Sequence, residues 1–289
     1  MVDGPLLTVE DLSVVVEGRR LLEGVSFSVE PGERLVILGV SGSGKSILIE
    51  ALAGNVPHAG AVRYRHDLQK KDIRFCFDQF ATIPLLKTGE VVKLMENVLG
   101  APRNEEILER LRINEMWDKL VKVLSKGERK RLGVYVALFT DPSLVVMDEP
   151  TDGMDPFLRE AFWKIIGARR GATIISTHLW DEARENHDRI MMISEGKLLA
   201  PPVSVADLFA KVPYRGKIIT TEAHVPAGGF RHFVHDGRRF IFFSTDEEKQ
   251  VILQQLSQTG EVAGYTLLPL DMRDLYALFG GKLTERSGE

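Results

Sequence analysis

The sequence predicts an α/β fold with a mostly parallel core sheet, an antiparallel β subdomain, a helical subdomain and a small C-terminal α/β domain. Three observations predict it. Leu35-Val36-Ile37-Leu38 is a short apolar run that enters a glycine-rich loop and leaves it as a helix, the order of elements in a parallel α/β sheet. Leu144-Val145-Val146-Met147 is a second continuous apolar run, the pattern of a strand buried on both faces. From Glu90 to Leu124 the pattern changes to a charged helical periodicity, and past Pro201-Pro202 the composition shifts again.

A chain of 289 residues, 44% of them apolar, is long enough for one large domain and a smaller one. A formal charge of −4 and an isoelectric point near 6.0 argue against nucleic acid as the main partner. Cys76 is the single cysteine, so no internal disulfide can form and a reducing compartment is expected. Its neighbours Phe75 and Phe77 suggest a buried, inert thiol. Met1 to Pro5 does not read as a secretion signal, and no apolar stretch reaches the length of a membrane span. Work at a membrane would therefore need another chain to cross it.

Taken in order, Leu6 to Val16 and Gly24 to Val29 alternate apolar and polar residues and read as antiparallel strands separated by Gly18-Arg19-Arg20. Pro31-Gly32 turns the chain into the apolar strand. The loop that follows, Gly39-Val40-Ser41-Gly42-Ser43-Gly44-Lys45-Ser46, carries the whole phosphate-loop pattern between that strand and a helix from Ile47 to Ala53. Glycines let backbone N–H groups come close to phosphate oxygens, and the helix aims its free N–H groups and positive dipole end at the same point. Lys45 would reach the β- and γ-phosphates, and the Ser46 hydroxyl would ligate Mg2+. The loop thus reads as an anion socket for phosphates and Mg2+, and the fold as that of a P-loop NTPase.

Pro57 to Gly60 reads as a break and Ile73 to Phe77 as a strand ending at Asp78-Gln79. Gln79 could sense Mg2+ or a water near the γ-phosphate, although a glutamine at such a place is more often a plain surface residue. The helical stretch is interrupted at Gly100-Ala101-Pro102 and closes on Ser125-Lys126-Gly127-Glu128, before a helix from Arg129 to Phe139. Ser125 and Glu128 form a capping box, and the helix start offers a second phosphate site. Arg129-Lys130-Arg131 reads as a solvated helix face.

The run Leu144 to Met147 ends in Asp148-Glu149-Pro150, at the strand end where parallel sheets place ligands. Adjacent residues of a strand point in opposing directions, so Asp148 suits the metal shell and Glu149 the activation of a water. A turn from Thr151 to Pro156, a helix from Phe157 to Ala168 and a strand from Ala172 to Ser176 follow. They put His178 on the same rim as Asp148, near a γ-phosphate or attacking water. Ile190 to Ser194 and Lys197 to Leu199 close as a hairpin. The tail reads as a strand Lys217–Glu222, a hairpin Phe230–Phe243, a helix Asp246–Ser257, a strand Val262–Leu268 and a helix Met272–Phe279. His232 and His235, three apart on a strand, face opposite ways and do not suggest a metal pair. Domain boundaries are expected at 1–202 and 203–289, with the helical subdomain at about 80–140.

Together these stretches resemble the ATP-binding subunit, or nucleotide-binding domain, of an ABC transporter over about residues 6 to 200. The tail resembles the C-terminal extension of ABC-2-type exporter ATPases, on Pro269 to Tyr276. The motifs occur in the family's order: the Walker A loop, the Q-loop at Gln79, the signature at Ser125, Lys126, Gly127 and Glu128, the Walker B run with Glu149, and the switch histidine His178. Asp155 falls at the D-loop aspartate, and Val16 where the family often stacks an aromatic on adenine.

The resemblance implies an ATPase whose catalytic residues are Glu149, His178, Gln79 and Lys45. Gly39 to Ser46 and Val16 would bind ATP, and Ser46, Gln79 and Asp148 would hold Mg2+. Two such domains, identical or not, would pair head to tail, each signature closing on the partner's ATP. A separate transmembrane permease, contacted by the helical insertion, would be driven in the export direction from the cytoplasmic face of the membrane. Three positions depart from the pattern: Val16 weakens base stacking, Glu128 replaces the common glutamine, and Lys126 replaces a glycine. Lys126 either adds a cation to the γ-phosphate or obstructs closure. Two other readings stay open. One is a soluble ABC-type ATPase of DNA repair or cofactor assembly, although the heptads of the repair-type coiled coil are missing. The other is a regulator that closes on ATP and scarcely hydrolyses it, with Lys126 as the defect.

Overall fold

The computed structural model describes residues 4–78, 83–185, 187–221, 227–258 and 264–283. Gln79, Glu222 and the first part of the strand expected at Val262–Leu268 lie outside the described residues. The chain divides into two compact units, Met1–Val203 and Ser204–Glu289.

The first unit begins with the hairpin β1 (Leu7–Val16) and β2 (Arg19–Val29), then β3 (Arg34–Leu38), helix α1 (Lys45–Leu52), β4 (Ala59–Tyr64) and β5 (Ile73–Cys76). Helices α2 (Thr88–Leu99), α3 (Glu105–Arg110) and α4 (Lys126–Ala137) follow, and then β6 (Leu144–Asp148), α5 (Pro156–Ala168), β7 (Ala172–Thr177), β8 (Arg189–Ser194) and β9 (Lys197–Val203). The core sheet has the order β5-β6-β7-β3-β8-β9, parallel except for β9. Every residue of β6 and β7 is buried, which is why Leu144 to Met147 of β6 reads as an unbroken apolar run, while β7 buries Thr173, Ser176 and Thr177 among its apolar residues. A separate antiparallel sheet, β2-β1-β4, packs Leu12, Leu22 and Val25 into one core with Leu48 and Ile49 of α1 and Ile37 and Ile193 of the core sheet.

Four local expectations are corrected. The strand β2 starts at Arg19, because Glu17 and Gly18 alone make the turn, both in the left-handed region that a two-residue hairpin needs. Ala59-Gly60 is the start of β4 and not a break; a Cβ at Gly60 would lie 2.3 Å from the Asp11 carbonyl, so this strand trades apolar side chains for close backbone approach. Strand β9 runs through Pro201-Pro202, tolerable at a sheet edge where the missing N–H faces no partner strand. Of the run Arg129 to Arg131 only Arg129 is solvated: Lys130 and Arg131 are 2% and 7% exposed, turned inward against β5, β6 and the chain after α3.

Cys76 is buried at the end of β5, and burial pushes its thiol up to about 12. Helix α2 ends at Gly100 in the left-handed conformation. Its start is pinned where Gly89 lies so close to Trp117 that a Cβ would meet the indole at 2.3 Å.

The second unit begins with a helix absent from the sequence reading, α6 (Val205–Ala210), capped by Ser204. Strands β10 (Gly216–Thr221), β11 (His232–His235), β12 (Arg238–Phe243) and β13 (Thr266–Leu268) form an antiparallel sheet in the order β11-β12-β10-β13. Helix α7 (Asp246–Gln258) covers one face through Ile252 and Leu256, while Phe240, Phe242 and Leu270 fill the other. At the start of α8 (Met272–Leu278), Asp271 and the fully buried Asp274 hold the buried Lys217 Nζ at 2.6 and 2.7 Å.

Candidate active site

Strand register puts the candidate residues on one rim. Leu38 pairs with Thr177, Asp148 with Ser176, and Cys76 with Met147. The glycine loop after β3, Asp148-Glu149 at the end of β6, His178 after β7 and Asp78 after β5 therefore emerge side by side, at the strand ends where parallel sheets bind ligands.

The loop holds its shape by close approach. A Cβ on Gly39 would sit 2.4 Å from Ser43 Oγ and 2.5 Å from the Ile193 carbonyl. Gly44, at φ +111°, leads directly into α1. The Gly196 N–H in the β8–β9 turn donates to the Ser43 carbonyl at 2.9 Å, bracing the loop from outside. Lys45 is buried; its Nζ donates to the Gly39 and Val40 carbonyls at 2.7 and 3.0 Å and lies 3.2 Å from Glu149 Oε1. Beside the loop opens a cavity of about 310 Å³ lined by Ser41, Gly42, Gly44, Lys45 and Ser46. Leu21, Ile47, Asp78 and Glu149 complete its wall.

The two acids are separated by a kink. The strand stops at Asp148, and Glu149 takes a left-handed φ of +46°, where the sequence reading had both carboxylates on a strand pointing apart. A left-handed non-glycine residue costs on the order of 1–3 kcal/mol and persists only where its surroundings hold it. Here the Glu149 N–H is held by the Ser176 hydroxyl at 3.0 Å, and that hydroxyl donates to Asp148 Oδ1 at 2.5 Å. Ser176, which sequence reasoning passed over as a strand residue, thus touches both acids. Glu149 Oε2 accepts from His178 Nδ1 at 3.0 Å. Burial raises the Glu149 carboxyl, but the His178 hydrogen bond and the Lys45 charge outweigh it and hold the group near 2. The same hydrogen bond raises His178 above its ordinary range.

Helix α4 approaches this rim from the other side. Lys130 Nζ donates to the Asp148 carbonyl at 2.8 Å and lies 2.7 Å from Asp78 Oδ1. Ser125 caps α4, with Ser125 Oγ accepting from the Glu128 N–H at 3.2 Å and Glu128 accepting in return from the Ser125 N–H at 2.8 Å. Lys126 Nζ reaches Asp152 Oδ2 at 2.5 Å, and Gly127 lies so close to Gly153 that a Cβ would meet its carbonyl at 2.3 Å. Lys126 and Gly127 therefore stand against the turn after Glu149, and none of Ser125, Lys126, Gly127 and Glu128 lines the cavity. Asp155 caps α5, its Oδ1 accepting from the Leu158 N–H at 3.0 Å. Val16 is 40% exposed at the end of β1 and does not line the cavity, whereas Leu21 does. Asp78 and Lys130 were missed because their roles depend on which elements pack together; the one signal was the adjacency of Asp78 to Gln79.

These residues fit a magnesium triphosphate. The loop is one that added Cβ atoms would fill, Ser43 Oγ is buried without a partner among the described residues, and Lys45 stands at its centre. Ser46 and Asp148 offer the hard oxygen donors that Mg2+ prefers, and no cluster of three or more metal-binding side chains occurs among the described residues. Fold and site thus define a P-loop nucleotide-binding protein. Residues 22–152 match the sequence profile of the ABC transporter family. Nod factor export ATP-binding protein I of Ralstonia nicotianae is 31% identical over 213 residues, covering 68% of this chain and 66% of that protein. The mouse cholesterol transporter ABCA5 is 31% identical over 200 residues, which are 63% of this chain but 12% of that protein, so the chain spans a small fraction of these animal relatives. A solved ATP-binding subunit of an ABC transporter superposes with a TM-score of 0.63 at 23% identity, over 71% of this chain and 92% of that one. The chain belongs to the ATP-binding proteins of the ABC transporter family.

Proposed function

We propose that the chain binds and hydrolyses ATP with Mg2+, pairs head to tail with a second ATP-binding subunit, and drives a separate membrane permease in the export direction from the cytoplasmic face. The observation that carries the hydrolytic part is the chain of contacts Lys45–Glu149–His178 beside the glycine loop. Export rests on the likeness to an export ATP-binding protein. A separate permease fits a chain in which no described helix is long and apolar enough to cross a membrane.

The residues divide the work. The loop N–H groups and Lys45 bind the β- and γ-phosphates. Ser46 and Asp148 would hold Mg2+, joined by Gln79 in the family's pattern, and the ion would supply positive charge against the phosphate oxygens. As Lys45 turns from Glu149 to phosphate, Glu149 loses one of the groups that hold its carboxyl near 2 and becomes a better acceptor for the proton of the attacking water. His178, its positive form favoured by Glu149, faces the developing phosphate charge. The Lys126–Asp152 pair is largely solvent-exposed on the lysine side, so it contributes at most about 1 kcal/mol and yields to a competing phosphate.

Steady-state hydrolysis and ATP binding measured on Glu149→Gln test this reading. General-base assistance is worth about 10²- to 10⁴-fold, so turnover falls by that factor while ATP still binds. Turnover at the parent rate contradicts the assignment.

A further inference from the structure

Behind the Glu149–His178 contact lies a carboxylate that the mechanism above leaves unused. Glu182 is buried in a short turn after His178, and its Oε2 accepts two hydroxyl hydrogen bonds: from Thr151 at 2.9 Å and from Thr177 at 3.0 Å. Both threonines are 2% exposed or less. Thr151 stands two residues after Glu149, and Thr177 immediately before His178. Thr177 Oγ1 also accepts from the Leu179 N–H at 3.0 Å, so the backbone on both sides of His178 is tied to this one hydroxyl. Burial of a carboxylate is costly unless its hydrogen bonds are made; Oε1 is buried without a partner among the described residues, and both bonds that Oε2 accepts run to the segments that carry the reacting pair. Burial raises the Glu182 carboxyl, and the Thr151, Thr177 and Trp163 side chains oppose that shift.

We propose that Glu182 is a positioning residue, clamping Thr151 and Thr177 through one carboxylate oxygen so that Glu149 and His178 stay at hydrogen-bond distance while Lys45 exchanges its partners. The inference deepens the proposed hydrolysis and rests on it for its kinetic consequence, but the clamp itself is a property of the free chain. Glu149 sits on a strained left-handed backbone and has His178 and Lys45 as its side-chain partners. Without the clamp, the turn bearing Thr151 and the strand end bearing Thr177 can part, and the glutamate follows the turn.

The test uses the full chain. Glu182→Leu removes the acceptor; Glu182→Gln keeps one carbonyl oxygen able to accept both hydroxyls. Misplacing a reacting group by about 1 Å costs on the order of 10²-fold. The account expects Glu182→Leu to lower kcat by that order with KM for ATP unchanged, and Glu182→Gln to restore most of it. The conservative Thr151→Val and Thr177→Val variants, which keep side-chain volume, should each lower kcat and leave KM alone. A second readout needs no turnover. The ¹⁵N resonance of His178 Nδ1 at fixed pH reports its hydrogen bond to Glu149, and it should move toward the position seen in Glu149→Gln in the Leu and Val variants but not in Glu182→Gln. A folded Glu182→Leu, or the Val pair where the Leu variant does not fold, that keeps the parent His178 resonance overturns the clamp. If the parent hydrolyses no ATP, the functional reading fails while the resonance still decides this one.

Discussion

At the scale of single residues, the site runs on charges that restrain one another. Glu149 is held near 2 by His178 and Lys45, and His178 is raised by Glu149. The Glu149 side of the contact stabilises the fold above the ordinary carboxyl value of 4.5 and is lost as pH falls through about 2. The His178 side is fully present below 6.5 and is lost as pH rises through its raised folded value. The two windows overlap between 4.5 and 6.5, where the contact is strongest. An NMR titration of His178 should find it above its ordinary value in the parent and lowered in Glu149→Gln; equal values in both proteins contradict the pairing. Single residues were also where the sequence was most and least informative. Lys45, Ser46, Asp148, Glu149 and His178 could be singled out because their chemistry is set by residue type in a fixed order of elements. The left-handed turn at Glu149 could not, since an Asp-Glu pair after an apolar run reads the same whether the strand continues or stops.

At the scale of elements, α4 does more than present a capped N-terminus. Its first turns place Lys130 beneath the rim, where one ammonium serves the Asp148 carbonyl and the Asp78 carboxylate and so ties α4 to the ends of both β6 and β5. Lys130→Met keeps the length of the stem and removes the donor. Asp78 is half exposed and can turn to water, but the Asp148 carbonyl loses its side-chain donor, so a loss of about 1–3 kcal/mol is expected. Chemical denaturation monitored by tryptophan fluorescence measures it, and an unchanged midpoint contradicts the role. Three adjacent basic residues on a helix show a spacing but not a face; that Lys130 turns inward while Arg129 stays exposed is decided by β5 and β6, which lie far away in sequence. β4 was hidden for a related reason: Ala59-Gly60-Ala61 has no apolar alternation, and its pairing depends on how closely the β1 backbone approaches.

At the scale of the whole molecule, the first unit has the architecture needed to gather a nucleotide: a parallel sheet whose register aligns four strand ends, with a glycine loop at one of them. The second unit has its own core on each face of its sheet and its own buried charge cluster at Lys217, Asp271 and Asp274. Its presence was legible from alternating runs and the His235 to Arg238 turn, while α6, six residues long, carried too little periodicity to be read. The account stands on ATP being gripped by the loop of the first unit through Lys45. Calorimetric titration of the full chain with magnesium ATP, run beside Lys45→Met, tests that most directly: the account predicts one bound nucleotide per chain in the parent and loss of the binding heat in the variant, and equal binding by both, or none by the parent, would contradict it.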